Sequence, residues 1–115
     1  MPRLVFFLLT VALCAQETSD LTQALKASRR KIDYLDAEIV KLLNERAAVV
    51  REIGLVKKRY HAPAIAQGRE EEVLRRVSSE ARAPLTADDM TTIYRAILAE
   101  MTSMEQREME KGSGR

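Results

Sequence analysis

The chain has 115 residues, 46% of them hydrophobic, with 19 basic and 17 acidic side chains and a net charge of +2. That length allows one domain, and so even a charge balance leaves no basic footprint for nucleic acid. A single cysteine, Cys14, excludes a disulfide framework and a cysteine metal cluster, and with tryptophan absent there is little to stack on bases.

The first segment, residues 1–15, opens with Arg3 and continues through an apolar run from Leu4 to Leu13. The run is too short to span a bilayer and has the length of a signal-peptide core. Cleavage after Ala15 sets Leu13 and Ala15 at the two recognition positions; cleavage after Cys14 sets Ala12 and Cys14 there. The alternative is an uncleaved apolar N-terminus in a cytosolic protein. The expected mature chain lies in the periplasm or outside the cell, has no membrane segment and no cysteine, and carries 18 basic and 17 acidic residues.

The second segment organises the rest. Alternate steps of four and three from Leu21 to Tyr60 land on apolar residues at ten of twelve positions, the exceptions being Ser28 and Arg46. This is a heptad seam without proline, and its one glycine, Gly54, costs a helix about 1 kcal/mol. The spacing predicts a first helix starting near Ser19 or Asp20, both good N-caps, and ending at Tyr60 or His61. Such a helix is about 60 Å long, whereas a globule of about 100 residues has a radius of gyration of roughly 13 Å. One chain cannot easily bury so extended a seam, so a homodimer with the first helix packed on its twin is expected. Lys41 and Glu45, opposite in sign at i, i+4, belong to the outward face.

His61-Ala62-Pro63 breaks the helix and Gly68 closes the loop. A second helix is predicted from Gly68 or Arg69 to about Ala81, with Val73, Leu74 and Val77 on one face and Glu70, Glu71 and Glu72 at the positive end of its dipole. Thr86 with Asp89 three residues on resembles a capping box for a third helix over Ala87 to about Met109. Its apolar stripe is Met90, Ile93, Ile97, Met101 and Met104, and residues 111–115 form a tail expected to be disordered. No segment reads as a strand. The fold class is all-α, one very long helix and two shorter ones, over a domain of residues 16–110.

Several polar residues do not fit the packing. Arg46 occupies a seam position, where a cation is costly unless an anion meets it. Lys57 follows eleven residues later, three helical turns with about 20° of drift, so both point the same way about 16 Å apart. Arg29 lies 17 residues before Arg46 and about 100° round the helix, placing it to reach the other chain's site in a dimer. Thr102 and Gln106, at i, i+4, share the edge of the third helix's stripe, and Glu70 adds an acceptor. The set holds three cations, a carboxylate, a hydroxyl and an amide. It would suit a small dianion and act by positioning and electrostatics, since no nucleophile, metal cluster or phosphate loop accompanies it. His61, the only histidine, falls in a loop and is read as exposed rather than catalytic.

These residues resemble the all-helical class of chorismate mutase over about Leu25 to Gln106. The words are Arg29-Arg30-Lys31-Ile32-Asp33, Leu35-Asp36, Leu42-Leu43-Asn44-Glu45-Arg46, Ile53-Gly54, Val56-Lys57, Arg69-Glu70-Glu71-Glu72-Val73-Leu74, Ile93-Tyr94-Arg95 and Ile97 to Gln106. The resemblance implies an intertwined three-helix dimer and the Claisen rearrangement of chorismate to prephenate, with no cofactor and no metal. It implies that Arg46 and the other chain's Arg29 bind the substrate carboxylates, while Lys57 and Gln106 meet the ether oxygen. Glu70 would accept from the ring hydroxyl, and Thr102 stands where the family usually has Ser. One departure is Ala66, where the family has Asp. A backbone N–H contact survives that change, whereas a side-chain role would alter affinity or substrate choice. Isochorismate–pyruvate lyase, which shares the fold and has an apolar loop here, is the enzymatic alternative. A non-catalytic helical dimer is the alternative from another class.

Overall fold

The computed structural model describes the backbone of residues 2–112 and the side chains of residues 15–112. Three helices make up the chain: α1 (Pro2–Arg59), α2 (Arg69–Ser79) and α3 (Ala87–Glu110). Among the described residues there is no strand, as the periodicity predicts.

The first helix begins well before Ser19 and Asp20. Both residues favour caps but are tolerated inside a helix, and no Gly or Pro lies between Pro2 and Gly54 to stop it. Pro2 takes the first helical position, where its missing N–H costs nothing. Polar side chains within the helix turn back on the backbone: the Thr22 hydroxyl donates to the Thr18 carbonyl at 2.8 Å. Apart from exposed Ala15, the side chains of the expected leader lie outside the described residues.

The C-terminus of α1 is a Schellman motif. The Ala62 N–H reaches the Lys57 carbonyl at 2.8 Å and the His61 N–H the Lys58 carbonyl at 3.2 Å. His61 takes the left-handed position, φ 55°, that glycine usually fills. The lone histidine thus has a structural post at the helix end. Lys57, Lys58 and Arg59 in the last turn meet the negative end of the dipole.

The chain divides into two compact units, Met1–Leu42 and Leu43–Arg115. In the first, every described side chain except Ala27 is exposed, including the seam residues Leu21, Ile32, Leu35, Ile39 and Leu42. In the second, α2 and α3 pack on each other around Val73 and Val77, and the Arg51–Glu108 and Lys57–Glu105 pairs join α3 to the end of α1. Gly68, φ 82°, turns the chain into α2, whose first turn holds the three glutamates. The Ala83–Pro84 peptide bond is cis.

The third helix starts with the expected capping box. The Asp89 N–H donates to the Thr86 hydroxyl at 3.0 Å, and the Thr86 N–H donates to the Asp89 carboxylate at 2.9 Å. These bonds, the backbone one first, hold the Asp89 carboxyl below its ordinary value of 3.8. At the other end Glu108 pairs with Lys111 at 2.6 Å and Arg51 at 3.2 Å, and the Lys111 hydrogen bond holds its carboxyl below the usual range. Lys111, expected in the tail, is therefore placed as the C-cap of α3, while residues 113–115 lie outside the described ones.

Candidate active site

A cleft of about 310 Å³ opens in the second unit between the end of α1, the loop before α2, and the facing sides of α2 and α3. The heptad spacing sends Arg46, Val50, Ile53 and Lys57 to one side of α1, and all four line this cleft. The loop contributes Ala64, Ile65 and Ala66; α2 contributes Arg69, Glu70 and Val73; α3 contributes Leu98, Met101, Thr102 and Glu105. The site combines an apolar lining with three cations and two carboxylates, the mix of apolar wall and few placed polar groups that orients a small molecule.

Two side chains set its electrostatics. Arg46 is partly buried, and its Nη1 is buried with no hydrogen-bond partner among the described residues. A guanidinium nitrogen so placed carries a large desolvation cost unless an anion meets it. Lys57 is held from two sides: its Nζ donates to the Ala64 carbonyl at 2.5 Å and lies 2.8 Å from Glu105 Oε1. That second contact is an ion pair by distance without hydrogen-bond alignment. An ammonium group has three donors, and only the one to Ala64 is committed to a hydrogen bond, so two remain for a ligand.

The structure brings together five of the seven residues singled out in the sequence: Arg46, Lys57, Ala66, Glu70 and Thr102. Arg29 is exposed on the first unit and lines no part of the cleft. Gln106 is exposed and is absent from the lining; the side chain of α3 that enters the cleft is Glu105, only 5% exposed. Adjacent helical residues point about 100° apart, so counting one residue too far along α3 exchanges an inward side chain for an outward one. The signal for Glu105 was present in the pattern. It lies four residues after Met101 and eight after Ile97, in phase with the apolar stripe, an acid where a hydrophobe is expected. Arg69 was also missed as a lining residue; its Nη1 pairs with Glu72 at 3.0 Å.

Fold and cleft together define a small all-helical protein with a cleft lined by three cations and two carboxylates. Residues 28–106 match the chorismate mutase type II family, and the chain belongs to that family. It is 33% identical over 89 residues to a bifunctional chorismate mutase/prephenate dehydratase of Aquifex aeolicus, covering 74% of this chain. A protein of the same description from Neisseria gonorrhoeae is 35% identical over 78 residues, covering 68% of this chain. The chain spans about a quarter of the length of these relatives, 25% and 21%. Among solved structures it resembles the Thermus thermophilus chorismate mutase (form II), with TM-score 0.70 and 29% identity over 72% of this chain and 94% of that one. The Helicobacter pylori chorismate mutase, solved in complex with prephenate, matches with TM-score 0.70 and 26% identity, covering 76% of this chain and 96% of that one.

Proposed function

We propose that this protein is a chorismate mutase, converting chorismate to prephenate by an intramolecular Claisen rearrangement in the cleft of the second unit. The observation that carries this reading is the buried, unpartnered Arg46 nitrogen on the same side of α1 as Lys57. Two cations at that spacing receive a dicarboxylate whose ether bond must break. Arg46 binds one carboxylate through its planar fork. Lys57 meets a carboxylate and the ether oxygen, where negative charge builds as the C–O bond opens. Glu70 accepts from the ring hydroxyl, the Ala66 backbone lies at the same wall, and Thr102 supplies a hydroxyl. The reaction needs no electron carrier and no covalent intermediate, so catalysis consists of holding the reactive geometry and stabilising the developing charge.

The place expected of Gln106 passes to Glu105, which lines the cleft and as a carboxylate pairs with the Lys57 ammonium that meets the ether oxygen. Glu105 can donate only as the neutral acid, because a carboxylate only accepts. The working enzyme is a homodimer in which Arg29 of the partner subunit completes the site. This is supported by the exposed apolar seam, for example Leu42 at 60% and Ile53 at 45%, and by Arg29's place outside the cleft of its own chain. The leader of residues 1–15 directs the protein to the periplasm or beyond.

Purified protein without the leader should consume chorismate, followed by its loss of absorbance, and release prephenate. The apolar loop wall of Ala64, Ile65 and Ala66 favours isochorismate as the second substrate to assay. Cleavage of isochorismate without turnover of chorismate would make the protein a lyase, and inactivity on both would make it a binding module. N-terminal sequencing of the protein from its native cell tests the leader: a start after Cys14 or Ala15 supports export, and Met1 or Pro2 refutes it.

A further inference from the structure

Gly54 sits inside α1 three residues before Lys57, on the same side of the helix, and is buried. Its backbone does not call for glycine, since the only glycine with positive φ among the described residues is Gly68. Glycine also disfavours a helix interior relative to alanine. What it allows is proximity. A Cβ at this position would lie 3.1 Å from Glu105 Cγ and 3.5 Å from Met109 Cγ. Carbon atoms rest at about 3.5–4.0 Å, so the Glu105 side chain lies against the bare backbone of α1 closer than a β-carbon would ordinarily permit. From that position the Glu105 carboxylate reaches Lys57 Nζ at 2.8 Å, and Lys57 is fixed in turn by the Ala64 carbonyl.

We infer that Gly54 is a positioning residue for the reaction: by leaving room for the Glu105 side chain it sets where the Glu105 carboxyl and the Lys57 ammonium meet in the cleft. This rests on the mutase reading of that cleft. An alanine methyl would force Glu105 Cγ to give by a few tenths of an ångström, and the carboxyl would swing further because it lies beyond the displaced carbon. Stability and activity then move in opposite directions. Alanine favours the helix, while a displaced acid loses its alignment with Lys57, the ammonium that meets the ether oxygen in the transition state.

The test is a double-mutant cycle of Gly54→Ala and Glu105→Ala, with thermal melts and steady-state kinetics on chorismate. Gly54→Ala should melt at or above the parent's temperature, lower kcat about ten-fold and leave KM within about two-fold. In the Glu105→Ala background Cγ is gone, and the same substitution should change kcat by less than about two-fold. An equal fall in both backgrounds, an unchanged kcat, or loss of the cooperative melt overturns the assignment. A parent without chorismate turnover refutes the mutase reading instead. The positioning claim is then decided by crystal structures of the parent and Gly54→Ala: a shifted Glu105 carboxyl supports it and an unmoved one refutes it.

Discussion

Arg46 and Glu105 break their helical patterns in the same way, each a charge in an apolar stripe, and each is drawn into one cleft. Removing such a group has consequences set by what it meets. Arg46→Ala should leave the fold intact, because Nη1 makes no bond within the chain, and lower kcat/KM about 100-fold, the equivalent of about 3 kcal/mol for a lost charge-assisted contact. Unchanged turnover would place the substrate elsewhere. Glu105→Gln keeps size and removes the ionisable group. Glu105 shares the cleft with Lys57 and Arg46 from α1, and with Arg69 and Glu70 from α2. If Glu105 serves as a donor in the cleft, the glutamine variant, which carries N–H donors, should keep kcat within about ten-fold of the parent, whereas Glu105→Ala should lower it about 100-fold. Equal kcat in the parent and Glu105→Ala would remove Glu105 from that role. Arg46 was legible from the sequence because its seam has a long, unbroken register to be measured against. Glu105 was passed over although it stands in phase with the α3 stripe: the i, i+4 partner of Thr102 is Gln106, and one residue along a helix turns the side chain by about 100°.

The helices differ in how firmly their ends are written. The start of α3 was legible because a capping box is a local device, two reciprocal bonds between residues three apart. Thr86→Ala should therefore cost about 1 kcal/mol, lowering the melting temperature by about 4–8 °C if the domain unfolds in one step. Asp89 adds a dependence on acid. Its folded carboxyl titrates below the ordinary 3.8, so its contribution is present above that value and is lost as pH falls through the depressed one. The stability difference between parent and Asp89→Asn should stay constant near neutrality and shrink in acid below about pH 4. A gap that stays constant into acid would mean the carboxylate form adds nothing. The start of α1 was not legible, for the converse reason. Ser19 and Asp20 are permissive signals, and with no breaker before them the helix runs on to Pro2.

At the scale of the whole molecule, the periodicity gave the all-α class and the helix order directly, because the apolar spacing is long and consistent. What the apolar seam packs against was not legible, since a heptad stripe looks the same whether it meets its own chain or another. Seam residues such as Ile39 at 54% and Val49 at 52% remain exposed in the single chain. If two copies cover that surface, folding and association are one event, and the melting temperature should rise with protein concentration. A melt independent of concentration, with the mass of one chain in sedimentation, would refute the dimer.

A shared site would also give this protein a genetic signature. Arg29 and Arg46 lie on different units of the chain, and only Arg46 lines its cleft. In a dimer that lends Arg29 across, chains carrying Arg29→Ala and chains carrying Arg46→Ala are each inactive alone. Mixed, they form hybrids in which one site gathers both lesions and the other gathers neither. Random reassortment would return about a quarter of the parent's sites, because half the dimers are hybrids and each holds one intact site. Two null alleles of one short gene would then complement each other, and failure to do so would mean that each chain works alone.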